Sequence, residues 1–377
     1  MGRVVASRVP RLADLPATAR TDIAAFTPPP RFGSVDLESF EAHHPSQGRA
    51  KERVREFALA RSDRRSRSAR RPGWLSRLTR RAESPVTGDG LYLDGGFGVG
   101  KTHLLAAAFF LAPTLSKRYV SFQQLVHLIG VLGMREAQER VGGVRLLCLD
   151  EFELDDPGNT LMVKTFLAHV FARGGSVITT SNTAPEAQGL GRFNAEDFRR
   201  EIQSIAESFE VLRVDGPDAR RASAEARLMR AEELPPPSRR AIRTDWRSLF
   251  EHLRAHHPAS YRAQLEGLDA LMVEGARPLP EQGDALRLVH FIDNLYDLRV
   301  ALWLAAAEGR GDGAPWSPAR AFDLFEPEYR NGAYETKYRR CASRLSEVLG
   351  EARALASRAA GEPLRSARGP VPHPNQA

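Results

Sequence analysis

The sequence predicts an α/β protein: a three-layer core on a parallel sheet, followed by a mainly helical C-terminal domain. Three observations predict it. From about residue 90 to about residue 220, short apolar runs alternate with segments of helical periodicity, as strands covered by helices on both faces do. A crowd of glycines joins the first of these runs to a helix, in "LYLDGGFGVGKTHLL" at residues 91–105. Beyond "PPPSRR" (235–240) the pattern becomes mostly helical, with one strand-like run, "RVALWLAAA" at 299–307.

Taken in order, residues 1–30 end in "TPPP" and read as a disordered tail. The core spans 31–222, and its first helix starts near Pro45. A basic insertion, "RSDRRSRSARRPGWLSRLTRR" (61–81), interrupts it. The predicted strands are "GLYLD", "RYVSF" (118–122), "VRLLCLD" (144–150), "SVITTSN" (176–182) and "FEVLRVD" (209–215). Between them "LMVKTFLAHVFARGG" (161–175) has helical periodicity and a glycine stop. Residues 223–240 form a linker, 241–355 the second domain and 356–377 a disordered tail.

Composition excludes several classes. The 42% hydrophobic and 27% charged content is that of a globular protein, and no apolar stretch approaches the ~20 residues of a membrane span. Two cysteines, Cys148 and Cys341, supply neither a disulfide framework nor a metal cluster, which points to a reducing, cytoplasmic setting. The net charge of +7 gathers largely in the basic insertion, and lysine occurs only at 51, 101, 117, 164 and 337. A solvated, arginine-rich segment accounts for it, and a nucleic-acid patch is the less favoured alternative. The start, "MGRVVASRVPRL", has no apolar core of a secretory signal.

The glycine segment carries the chemistry. Gly95, Gly96, Phe97, Gly98, Val99, Gly100, Lys101 and Thr102 fit G-x-x-x-x-G-K-[ST] between a strand and a helix. There, backbone N–H groups and the helix N-terminus cradle the phosphates of ATP; the lysine reaches the outer phosphates and the hydroxyl holds Mg²⁺. Asp150 ends an apolar strand, where it can hold Mg²⁺ opposite Thr102, and Glu151 can act as general base toward water. Asn182, after "TTS", can orient that water or touch the terminal phosphate; a plain turn-forming Asn is the alternative. Arg192 in "GLGRFNAEDF" can reach across a subunit boundary of a ring, and Arg220 follows the fifth strand; a surface salt bridge is the alternative for either, in a chain with so many arginines.

Together these residues resemble an AAA+ P-loop ATPase, and further segments resemble the ZapE family of bacterial cell-division ATPases with their mitochondrial AFG-type relatives. "LLCLDEFELDD" is similar to the family's acidic pair, and "ITTSNTAPE" with "GLGRFNAEDF" to its asparagine strand and arginine helix. "LVHFIDNLYDLRVALWLAA" (288–306) and "YETKYRRCASRLSEV" (334–348) discriminate more, the latter with Arg340, Ser343 and Arg344 on family positions. The resemblance covers roughly residues 90–350. It implies an ATP hydrolase that lowers the stability of FtsZ polymers when ATP is present, acts in the bacterial cytoplasm at the division site, and assembles as an ATP-dependent homo-oligomer. It also implies Arg192 and Arg344 as candidates for the arginine finger or sensor.

The sequence departs from that pattern in the basic insertion, in "DGPDARR" around Arg220, and loosely throughout 225–285. Two other readings remain open. "RFGSVDLESF" and "GGFGVGKTHLL" also resemble helicase loaders and transposase helpers, although such proteins stop soon after the fifth strand. A nucleotide-dependent scaffold with little turnover is the other, against which the Asp150–Glu151 pair argues.

Overall fold

The computed structural model describes residues 12, 15, 26–68, 89–154, 157–188, 199–217, 228, 240–307, 321–332 and 334–359. Helix α1 (Pro45–Ser68) precedes β1 (Asp89–Asp94), α2 (Lys101–Leu111), β2 (Lys117–Ser121), α3 (Phe122–Leu132), the short α4 (Met134–Ala137) and β3 (Leu146–Asp150). Then come α5 (Pro157–Ala172), β4 (Ser176–Ser181), α6 (Arg199–Ala206) and β5 (Phe209–Arg213). These five strands form one parallel sheet in the order β2-β3-β4-β1-β5.

Alternation along the strands explains the layering. Leu91 and Leu93 of β1, Leu146 and Cys148 of β3 and Ile178 of β4 face one core, together with Leu104, Leu105 and Phe109 of α2 and Val54 and Phe57 of α1. Their neighbours Tyr92, Leu147, Leu149 and Val177 face the other, against Leu125 of α3 and Val163, Phe166 and Val170 of α5. Side chains at successive positions point to opposite faces, so an unbroken apolar run requires cover on both. The five strands lie where the sequence places them, within a few residues. Phe122 leaves the second one, because Ser121 caps α3: its hydroxyl accepts from Gln124 N–H at 3.2 Å, and its own N–H donates to Gln124 Oε1 at 2.9 Å.

The second half differs in detail from the expectation. Its helices are present: α7 (Trp246–Ala255), α8 (Tyr261–Leu265), α9 (Gln282–Leu298) and α10 (Glu335–Ala359). It also holds three parallel strands where the sequence shows one: β6 (Ala241–Asp245), β7 (Ala270–Ala276) and β8 (Ala301–Ala306). Strand β6, "AIRTD", has two apolar residues in five and lies at the edge, so its signal is weak. Each pairing spans a helical crossover, so no hairpin turn announces it. The basic insertion has no boundary at residue 61, since α1 runs unbroken to Ser68; residues 69–81 lie outside the described residues.

The 3₁₀ turn Pro30–Phe32 straddles the expected boundary between the tail (1–30) and the core (31–222), and it packs on the second half. The Arg31 guanidinium lies 3.7 Å over the Tyr296 ring of α9, and it donates to the Tyr296 carbonyl at 2.7 Å and to Glu347 and Glu351 of α10 at 3.0 and 2.8 Å. Phe32 touches the apolar clusters of both halves. A short strap thus ties the last helix to the first sheet.

Gly95 is required where β1 turns toward α2. A Cβ there would overlap the carbonyl oxygen of Val214, which follows β5 and whose N–H donates to Asp94 O at 2.6 Å. A Cβ on Gly96 meets nothing within 4 Å. Gly95→Ala is therefore expected to lower stability by about 1–3 kcal/mol in urea unfolding, and Gly96→Ala to leave it within about 1 kcal/mol of the parent.

Candidate active site

The parallel strands deliver their carboxyl ends to one edge, where such sheets bind ligands. Gly95 follows β1, Glu151 follows β3 and Asn182 follows β4, so residues scattered over the sequence meet there. The glycine loop bends through Gly98 (φ 69°) and Gly100 (φ 90°), a left-handed region costly for other residues, and then opens α2 at Lys101. A cavity of about 490 Å³ borders the loop and reaches Phe32, Tyr296 and the arginines of α10. A larger one of about 610 Å³ lies away from the loop, at the start of β6, β7 and β8; it holds none of the predicted site residues.

Lys101 is buried at the loop's centre. Its ammonium donates to Gly95 O at 2.8 Å, Gly96 O at 2.5 Å and Asn182 Oδ1 at 3.0 Å. Asn182 in turn donates to Glu153 Oε1 at 3.2 Å. Glu153 stands two residues beyond Glu151 in the segment "DEFE", and the sequence reading assigned it no role.

Asp150 gathers four donors. Oδ1 accepts from Thr180 Oγ1 at 2.5 Å, Glu151 N at 3.1 Å and Thr102 Oγ1 at 3.3 Å, and Oδ2 from Tyr119 OH at 2.7 Å. Burial, then the neighbouring Glu151 charge, raises its carboxyl above the ordinary range, against Thr180, Tyr119 and Arg344. A buried carboxylate that resists ionisation and converges with a hydroxyl suits a divalent cation, whose charge would reverse the penalty. No group of three or more His, Cys, Asp or Glu that could hold a metal occurs among the described residues. The Thr102–Asp150 pair therefore fits Mg²⁺ that draws its remaining oxygens from phosphate and water.

Glu151 occupies left-handed backbone at φ 55°, which its N–H contacts to Thr180 Oγ1 (3.0 Å) and Asp150 Oδ1 hold in place. Its carboxylate pairs with Arg344, and with Arg340 at 3.4 Å. Burial would raise Glu151, but the two guanidiniums outweigh it and keep the group below its ordinary value. Arg344 thus lies in the predicted site, with Arg340 beside it. Arg192 and Arg220 lie outside the described residues.

Asp293 of α9 accepts from Arg340 Nη2 at 2.7 Å and Arg344 Nη1 at 2.5 Å, and no local spacing singles out Tyr119, Thr180 or Asp293 in the sequence. Asp297 of α9 is another such residue. Burial pushes its carboxyl up to about 7, with Glu151 and Asp150 adding to the rise and Arg344 opposing it. A raised acid costs stability as pH climbs from its unfolded value near 4 toward 7, because the folded chain holds the proton longer. Asp297→Asn is expected to stabilise the chain by on the order of 2 kcal/mol at pH 8, with the gain vanishing toward pH 4 in urea titrations at both values.

Comparison with known proteins identifies a family. A family model described as AFG1-like ATPase matches residues 27–253, well over half of the chain. The cell division protein ZapE of Escherichia coli is 28% identical over 136 residues, covering 33% of this chain and 36% of that protein. The match thus spans about a third of the relative's length. An uncharacterized protein of Schizosaccharomyces pombe is 23% identical over 337 residues, covering 70% of this chain and 73% of its own. Among solved structures, DnaI overlays with a TM-score of 0.37 at 21% identity over 50% of this chain and 93% of its own. The DnaC helicase loader overlays at 0.34 with 20% identity over 49% and 99%. Both overlays are too loose to carry a functional argument. On the family match, the chain belongs to the AFG1-like ATPase family.

Proposed function

We propose that this chain binds ATP with Mg²⁺ between the glycine loop and α10 and hydrolyses it to ADP and phosphate. The observation that carries the reading is the convergence of Lys101, the Thr102–Asp150 pair, Glu151 and Asn182 at the N-terminus of α2. Backbone N–H groups of 95–100 and the helix dipole bind phosphate, and Lys101 exchanges its carbonyl acceptors for phosphate oxygens. Thr102 and Asp150 hold Mg²⁺, which supplies charge neutralisation along the triphosphate. Glu151 accepts the proton of the attacking water, Asn182 orients that water, and Arg344 answers charge that develops on the terminal phosphate. Arg192 is the candidate finger from a neighbouring copy in an ATP-dependent homo-oligomer.

The Escherichia coli relative's name, cell division protein ZapE, supports a division role here. The cytoplasmic target we infer is the FtsZ polymer or another division protein, loosened in an ATP-dependent way. Among the described residues no helix is long and apolar enough to cross a membrane.

Glu151→Gln should retain nucleotide binding and lower turnover by about 10²–10⁴-fold in a phosphate-release assay. Unimpaired turnover would remove Glu151 as the base. Lys101→Ala should weaken nucleotide binding by at least about tenfold, and Arg192→Ala should lower turnover with binding unchanged. In sedimentation of FtsZ polymers, the chain with ATP should reduce the pelleted fraction relative to the chain alone; equal pellets would remove FtsZ as the target while leaving the ATPase reading standing.

A further inference from the structure

Arg340 and Arg344 stand one turn apart on α10, so both side chains project to the same side. Asp293 of α9 accepts from both, from Arg340 Nη2 at 2.7 Å and Arg344 Nη1 at 2.5 Å. Their remaining terminal nitrogens face Glu151: Arg344 Nη2 donates to Oε1, and Arg340 Nη1 lies 3.4 Å from Oε2. Two guanidiniums and two carboxylates close into a ring of zero formal charge. The side chains of Arg340 and Arg344 are 9% and 6% exposed, those of Asp293 and Glu151 13% and 21%.

Two features set this ring apart from a structural clamp. The Nε donors of Arg340 and Arg344 are buried without a hydrogen-bond partner among the described residues, so neither guanidinium has spent its donors. Arg340, Arg344 and Glu151 also line the same cavity as Lys101 and Thr102. A terminal phosphate held by Lys101 would approach Glu151 as a like charge and the arginines as an opposite one. It carries more charge than a carboxylate and three acceptor oxygens in place of two, so it outcompetes Glu151 for a planar donor fork.

We propose that the Glu151 carboxylate is an internal stand-in for the terminal phosphate. Triphosphate binding displaces it from Arg344 while Asp293 keeps its hold on both arginines. The inference rests on the nucleotide reading above and concerns the regulation of that site. The backbone N–H of Glu151 is pinned to Thr180 and Asp150, so the exchange requires only its side chain to swing. Both of its carboxylate oxygens face guanidiniums, and the swing frees them to accept a hydrogen bond from water. A diphosphate lacks the group that makes the exchange and leaves Glu151 paired. The general base is thereby available only when there is a terminal phosphate to cleave.

The test measures equilibrium binding of AMP-PNP and of ADP, each with Mg²⁺, to the full chain by calorimetry. Glu151→Gln removes the competing charge with almost no change of shape. It should tighten AMP-PNP by about tenfold and ADP by less than about threefold. In an Arg344→Met background the same substitution should no longer tighten AMP-PNP, because the contested cation is gone. An unchanged AMP-PNP affinity, an equal gain for ADP, or a gain that persists without Arg344 would each overturn the exchange while leaving the nucleotide site intact. Failure of the parent chain to bind either nucleotide would instead overturn the reading beneath it.

Discussion

A carboxylate at the end of β3, closed on two arginines of the last helix, is the interaction that makes one site out of two sheets. The second half meets the glycine loop's cavity through Tyr296, Arg340, Arg344 and Glu347, and the Glu151–Arg344 contact joins that lining to the end of β3. Burying such a pair is costly in itself, and exchange for apolar residues often leaves a protein as stable or more so. The ring is therefore better explained by what it positions than by the stability it adds. Asp293 shows the logic: burial opposes its charge, yet Arg340 and Arg344 outweigh burial and hold it down at about 2.

The same balance runs through the rest of the site. Lys101 is satisfied by two carbonyls and an amide, Asp150 by two hydroxyls, a phenol and an N–H, and Glu151 by two guanidiniums. Asp297 departs from this pattern. Burial and its acidic neighbours hold it near neutrality, so the acidic side of the site carries less negative charge than its carboxyl groups formally provide.

The strap from Pro30 to Phe32 gives the arrangement its mechanical frame. Arg31 joins α9 and α10 through Tyr296, Glu347 and Glu351, and Arg299 returns a hydrogen bond to the Arg31 carbonyl at 2.9 Å. The Arg31 and Arg344 guanidiniums both lie over the Tyr296 ring, 3.7 and 5.2 Å from its centre. Helix α10 therefore carries both the carboxylate partners of Arg31 and the guanidinium of Arg344 that faces the cavity.

What could be read from the amino-acid order alone was local. Gly95 through Thr102 are contiguous and Asp150–Glu151 are adjacent, so strand, loop, helix and acidic pair follow from short-range spacing and the two-faced apolar runs. Arg344 entered through family resemblance, since in a chain with so many arginines its own spacing singles out nothing. Folding decided which distant groups share the site. The order β2-β3-β4-β1-β5 puts Thr180 of β4 and Tyr119 of β2 on either side of Asp150, and α9 carries Asp293 to Arg340 and Arg344. Parallel strands pair across crossovers and helices dock through apolar faces that many partners could fill, so neither contact leaves a period in the sequence. The edge strand β6 gave little local signal for that reason, and Glu153, Asp293 and Asp297 lie in family-like segments without any local pattern that assigns them a role, because their partners are far away in the chain.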